Sequence, residues 1–215
     1  LAPTQEIKRH LMKEGTRAED ILVTGIPVRQ QFLDMDYCQK REKNRTRRVL
    51  IMGGGLGLMP DLKELLEKLH SMRGVESVVI TGKNHKMYEE WVNRYEDVEV
   101  LGYTENISRY MRRADLVITK AGGITLFEIL HSQVPLFVIH PFLEQEMNNA
   151  RYAAEKGFAK VVWGRHEDYI PELEKLLSDE KMMKEMTENV RRACKEMIEV
   201  SLDEAVGIME ERMTA

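Results

Sequence analysis

The sequence predicts an α/β protein: a Rossmann-like, doubly wound parallel sheet of about six strands with helices on both faces, followed by a helical carboxyl-terminal tail. Three observations predict it. Between Arg48 and Gly164, short apolar runs alternate with amphipathic segments long enough to be crossover helices. The apolar runs do not alternate with polar residues, as expected of strands buried on both faces. From Pro171 onward the periodicity is helical throughout.

Taken in order, Gln5–Glu14 is amphipathic and reads as a helix, and "ILVTGIPV" (Ile21–Val28) reads as a short strand running into a proline turn. The polar, basic "YCQKREKNRTRR" (Tyr37–Arg48) reads as a linker. The clearest core strand is "RVLIMGGG" (Arg48–Gly55), with a helix after it from about Pro60 to Met72. Then come the strand Ser77–Gly82, a helix His85–Tyr95, the strand Val98–Tyr103 and a helix Ile107–Arg113. The alternation continues with the strand Asp115–Lys120, a helix Thr125–His131, the strand Pro135–His140, a helix Gln145–Lys156 and the strand Ala159–Gly164. The helical tail is cut near Ser178 and near Val200, and its methionines fall largely at helical spacing, as core filler would.

Bulk properties set outer limits. The chain has 215 residues, 43% hydrophobic and 32% charged, enough to bury a sizeable core. A net charge of −4 gives no electrostatic case for nucleic acid as a partner. Cys38 and Cys194 are far apart and lack metal-ligand spacing, so they read as thiols of a cytosolic protein. The apolar runs are strand-sized, which leaves no candidate for a membrane span. The start Leu-Ala-Pro-Thr, without an initiator methionine, suggests a piece of a longer protein. The histidines show neither ligand spacing nor a nucleophile partner, so no metal site and no catalytic triad is predicted.

Open parallel sheets bind ligands at the carboxyl ends of their strands, near the point where the strand order reverses. Several strand ends here carry suitable residues. Gly53-Gly54-Gly55-Leu56-Gly57 follows the first core strand. Glycines there let backbone approach a phosphate, although a tight strand-to-helix turn explains them equally. Gly122, Gly123 and Thr125 form a second such loop, and two loops suit a diphosphate. Glu128 follows, and a carboxylate so placed can accept two hydrogen bonds from a vicinal diol such as a ribose. Its other reading is a favourable charge near a helix start. In "PFLEQEMNNA", Gln145 and Asn149 share a helical face, and with Glu146 they suit sugar hydroxyls or simply start a helix. Arg29 could grip a diphosphate bidentately or be a surface arginine at a hinge. The basic runs Lys40–Arg48 and Arg109–Arg113 read as a solvated linker and a helix end, with an anionic membrane surface as the competing reading.

Together "VTGIPVR", "VLIMGGGLG", "VLGYTENISRYMRRADLVITKAGGITLFE" and "PFLEQEMNNARYAAEKG" resemble the carboxyl-terminal half of a GT-B glycosyltransferase. The family is the one that holds MurG, monogalactosyldiacylglycerol synthases and bacterial diacylglycerol glucosyltransferases. The resemblance spans nearly the whole chain and is closer to the diacylglycerol branch. It implies a division into residues 1–47, a remnant of an amino-terminal domain plus linker, 48–170, a nucleotide-sugar-binding domain, and 171–215, helices packed on it. It implies that Arg29, Gly54, Gly55, Gly57, Gly122, Gly123 and Thr125 face a donor diphosphate. The backbone of Gly102, Tyr103 and Thr104 would hold the uracil, Glu128 the ribose, and Gln145, Glu146 and Asn149 the donor sugar. The implied substrate is a UDP-sugar, with no cofactor and a lipid acceptor, diacylglycerol, bound by the amino-terminal domain that also supplies the catalytic base. The implied place is cytoplasmic, peripheral on the inner face of the membrane. Two alternatives stand beside this reading: a UDP-sugar epimerase of the same architecture, and a non-catalytic nucleotide-binding subunit of a two-protein glycosyltransferase.

Overall fold

In the computed structural model of the chain, residues 1–33, 46–53, 61–164, 167–197 and 200–214 are described. The core alternates strand and helix: β1 (Arg47–Met52), α2 (Leu62–Ser71), β2 (Val75–Ile80), α3 (His85–Trp91), β3 (Val98–Leu101) and α4 (Ile107–Arg113), preceded by α1 (Gln5–Lys13). It continues with β4 (Leu116–Thr119), α5 (Gly123–Ser132), β5 (Leu136–Ile139), α6 (Glu144–Glu155) and β6 (Ala159–Val162). The tail is α7 (Ile170–Ser178), α8 (Glu180–Met197) and α9 (Leu202–Thr214).

All six strands are parallel, in the order β3-β2-β1-β4-β5-β6. The chain winds outward from β1 to β3, then returns to pair β4 against the free side of β1, Val49 opposite Leu116. The order reverses between β1 and β4, and there the loops after neighbouring strands diverge and open a crevice. Strand residues alternate between two cores. Val49 and Ile51 join Leu65, Leu66, Trp91 and Phe137 on the face covered by α2, α3 and α7. Leu50 and Met52 join Met111, Leu126, Ile129 and Phe158 on the face covered by α4, α5 and α6. α8 serves both, with Met183 and Met186 in the first core and Val190, Ala193 and Met197 in the second. So Met183, Met186 and Met197 are filler as predicted, whereas Met182, Met209 and Met213 are exposed.

Four element predictions need correction. Ile21–Val28 is not a strand: only Val23 makes a bridge, to Ala2, and no other partner runs beside the segment among the described residues. Gly25 turns the chain at φ 73°, and Pro27 offers no N–H. The helix after β2 stops at Trp91 rather than Tyr95, because Val92 is extended and Asn93 takes a left-handed φ of 60°. α5 begins at Gly123, two residues before the predicted Thr125, and α6 begins at Glu144. Cys38, most of the linker and residues 54–60, which hold all of the first glycine loop but Gly53, lie outside the described residues; Cys194 is a half-buried free thiol.

The amino-terminal segment is tied to the end of the chain. Thr4 caps α1 through Ile7 N–H, and Ala2, Ile21 and Val23 form a small core of their own. Val200 N–H donates to Val23 O, and Arg212 Nη2 donates to Glu19 O at 2.9 Å. Residues 25–33 then cross from this corner to the sheet, ending in a 3-10 turn, Gln30–Phe32, whose Phe32 is buried in the second core.

Candidate functional site

At the carboxyl edge of the sheet lies a cleft of about 570 Å³. Its floor is apolar, with Met52 and Ile80 from the ends of β1 and β2 and Ile107 from α4. Tyr103 and Thr104, just past β3, form one wall, Ile124, Thr125 and Glu128 of α5 another, and Pro27, Val28 and Arg29 a third. An apolar cleft with a few polar groups in its walls suits a ring system bearing hydroxyls and charge. The strand ends place these groups, because each loop emerges at the same edge of a parallel sheet.

Glu128 is the deeply buried acid of the cleft, 4% exposed. Arg29 donates to one of its oxygens twice, from Nε at 3.0 Å and Nη2 at 2.8 Å. Burial pushes the Glu128 carboxyl above its ordinary value of 4.5, and the hydrogen bonds and charge of Arg29 pull the other way. The guanidinium also lies over the Phe32 ring, 5.3 Å from its centroid. Farther along α5, burial and, after it, the charge of Arg112 lower the pKa of His131.

The second glycine loop is held open by its neighbours. Ala121 has a left-handed φ of 59°, and its carbonyl accepts from Asn149 Nδ2 at 2.9 Å. A Cβ at Gly123 would collide with Gln145 Nε2, so glycine lets the α6 amide approach this backbone as closely as it does. Glu146 bends back instead, its Oε2 accepting from the N–H groups of Phe142 and Leu143, which closes the start of α6. His140 ends β5 in a left-handed conformation, φ 46°, with its ring edge-on to Tyr169. It is buried, and its Nδ1 has no hydrogen-bond partner among the described residues.

Of the residues singled out in the sequence, Arg29, Tyr103, Thr104, Thr125 and Glu128 line the cleft. Gly122, Gly123, Gln145 and Asn149 gather beside it at the ends of β4 and β5. Gly102 sits at the end of β3, Glu146 is engaged at its own helix start, and Gly54, Gly55 and Gly57 lie outside the described residues. The sequence did not single out Gln31. Its amide donates to Glu105 O at 2.7 Å, its side-chain oxygen accepts from Ser108 Oγ at 2.8 Å, and its carbonyl accepts from Arg112 Nη2 at 2.8 Å. Nothing in the local pattern marks it, since its partners lie at least 74 residues away. The basic run Arg109–Arg113 accordingly has a structural use, through Arg112.

A second cavity, of about 390 Å³, lies at the opposite, amino edge of the sheet. Among its lining groups, Arg48 pairs with Glu76 and Tyr110 with Glu99. Among the described residues there is no cluster of three metal-ligating side chains, and no helix is long and apolar enough to cross a membrane.

Residues 48–204 match the glycosyltransferase family 28 C-terminal domain. The processive diacylglycerol beta-glucosyltransferase of Bacillus licheniformis is 36% identical over 201 residues, covering 87% of this chain and 51% of that protein. The chain thus spans about half the length of the curated relatives it matches. Among solved structures, the glycotransferase of kitacinnamycin superposes with a TM-score of 0.64 at 19% identity, over 96% of this chain and 61% of that one. MurG of Acinetobacter baumannii superposes with a TM-score of 0.61 at 16% identity, over 83% of this chain and 52% of that one. These likenesses establish the fold as one half of the GT-B architecture.

Proposed function

Because the chain belongs to the glycosyltransferase family 28 C-terminal domain family, we propose that it is the donor-binding half of an enzyme that transfers a hexose from a UDP-sugar to a lipid, diacylglycerol. The observation that carries this reading is the buried Glu128 carboxylate in the wall of an apolar cleft at the switch of strand order. Burying an acid costs free energy unless it is paired; Arg29 engages one oxygen of Glu128, and the carboxylate stands in the wall where a ligand's diol would meet it. The uracil would lie in the slot against the backbone of Gly102, Tyr103 and Thr104, and Glu128 would hold the ribose. The diphosphate would meet the backbone of Gly122, Gly123 and Thr125, with Gly54, Gly55 and Gly57 opposite and the outer edge of Arg29 beside it. Gln145 and Asn149 would read the sugar, with Glu146 joining if its helix-start bonds yield.

In this reading residues 48–170 carry the donor site, 171–215 brace it, and 1–47 connect it to an acceptor-binding domain that supplies the base. The 215 residues by themselves would bind UDP and transfer no sugar from a UDP-sugar. The parent enzyme would work at the inner face of a membrane, where its acceptor lies. Calorimetry tests the donor site: affinity should rise from uridine to UMP to UDP, and the gain from phosphate should shrink as salt is raised. Equal affinity for uridine and UDP would remove the diphosphate from the loops. Sustained glycolipid synthesis from UDP-glucose and micellar diacylglycerol by these residues alone would show that base and acceptor site are present here.

The close approach at Gly123 supplies a separate prediction. Gly123→Ala should fold, because the atom its Cβ meets is the end of a flexible side chain. The displaced Gln145 amide should weaken UDP-glucose by about 0.5–1.5 kcal/mol, one hydrogen bond's worth, while UDP binding changes less. Parallel titrations of the two ligands would read this, and equal losses for both would place Gln145 away from the sugar.

A further inference from the structure

The arginine of "GIPVR" commits Nε and Nη2 of its guanidinium to Glu128. Both nitrogens donate to a single oxygen of Glu128, Oε1, and neither donates to Oε2. The arginine side chain remains 44% exposed, so the guanidinium is not consumed by this contact. A buried carboxylate with one oxygen clamped has its plane fixed and its second oxygen left for another donor pair. That is the arrangement a ribose diol needs.

We propose that Arg29 is a positioning residue for nucleoside recognition: by clamping Oε1 of Glu128 it holds the carboxylate in place to accept the ribose, and so governs affinity for uridine where no phosphate is present. The inference rests on the reading of Glu128 as the ribose acceptor. It differs from a purely phosphate-gripping arginine, which would leave a nucleoside indifferent to its loss. Three features of the structure serve this role. The Phe32 ring beneath the guanidinium is buried and cannot drift. Gln31, next in the chain but one, is bonded to Glu105, Ser108 and Arg112, so the backbone that carries Arg29 is fixed to α4. α4 also follows the Tyr103–Thr104 wall of the cleft, so the base slot and the ribose acid are set by one crossing segment.

The groups facing Glu128 define how acidity should report on the clamp. Arg29 is the charged neighbour that bears on it among the described residues; Arg112 of α4 bears on His131 instead, and the nearby residues of α6, Gln145 and Asn149, are neutral. Removing Arg29 therefore leaves burial unopposed and drives the Glu128 carboxyl further up. Ionised Glu128 is the form that accepts a diol, so the pH below which uridine binding fails should rise in the variant.

The test is a cycle of uridine and UDP titrations of the 215-residue chain with Arg29→Ala, Glu128→Gln and the double variant, each repeated across pH, with folding checked by circular dichroism. We expect Arg29→Ala to weaken uridine at least fivefold, the double variant to lose little more than the worse single variant, and the pH midpoint of uridine binding to move upward. Uridine affinity retained by Arg29→Ala while UDP affinity falls would overturn the inference and leave a phosphate-only arginine. Fully multiplicative losses in the double variant would overturn it too. If Glu128→Gln leaves uridine unchanged, the ribose reading itself fails, a result distinct from both. Should Arg29→Ala not fold, Arg29→Lys serves: it keeps the charge but not the paired donors, so it should weaken uridine and leave the phosphate increment, and unchanged uridine affinity would count against the clamp.

Discussion

Replacing Glu128 by alanine is expected to weaken UDP binding by about 1–3 kcal/mol, roughly 5- to 150-fold, the cost of leaving the ribose hydroxyls without acceptors. The apo protein should not suffer in proportion. A carboxyl whose pKa is raised by burial favours its protonated form in the folded state. Its contribution to stability is therefore present in acid, below the unfolded carboxylate range, and is lost as pH rises through the raised folded value. At neutral pH the ionised group is held against its desolvation cost, with Arg29 offsetting part of it. Alanine removes both the cost and the pairing, so thermal unfolding should move little while calorimetric affinity collapses. Unchanged UDP affinity in the variant would sink the ribose assignment.

Phe137→Ala is expected to cost about 3–5 kcal/mol of folding stability, the range for truncating a fully buried phenylalanine. Phe137 is fully buried in the centre of β5, flanked in the sheet by Ile118 and Lys160. It packs in the core beneath α2, α3 and α7, and no neighbour can swing in to fill its volume without unpacking that layer. Since whole domains are stable by only about 5–15 kcal/mol, the variant should unfold at a much lower urea concentration. A midpoint shift equivalent to less than about 1 kcal/mol would mean that this face of the sheet is more loosely packed than described. Saturating UDP should recover part of the loss by mass action, provided the cleft survives.

Strands and helices were legible where a residue's partners lie in its own periodicity. β1, β2, β4 and β5 are apolar on both faces, and that pattern follows from burial alone. Ile21–Val28 shows the opposite case. Its composition favours a strand, but a strand exists only if another lies beside it, and here Val23 makes a single bridge, to Ala2, and accepts one bond from Val200 N–H. The same division runs through the site. Glu128 and the second glycine loop were visible because residue type and strand-end position go together. Gln31 was not, because its three bonds depend on where α4 lands. Arg29 was noticed for its charge, yet its partner, 99 residues away, could be known only from the fold. Glu146 warns in the other direction: the sequence allowed a sugar contact or a helix start, and the carboxylate is found on the backbone N–H groups at its own helix start.

The order β3-β2-β1-β4-β5-β6 bears on how the chain assembles. Strands β1 to β3 pair with sequence neighbours, as do β4 to β6, so each trio needs only short-range closures. The joint between the trios is different. Arg48 and Asp115 bond there across 67 residues, and Val49 must find Leu116. Such a contact carries the largest loop-closure cost in the sheet and belongs late in assembly. The cleft straddles this joint, with Met52 and Ile80 on the early side and Ile124 and Glu128 on the late side. A ligand spanning it would act as a latch on the last seam to close, adding cohesion where the chain itself has the least local reason to hold.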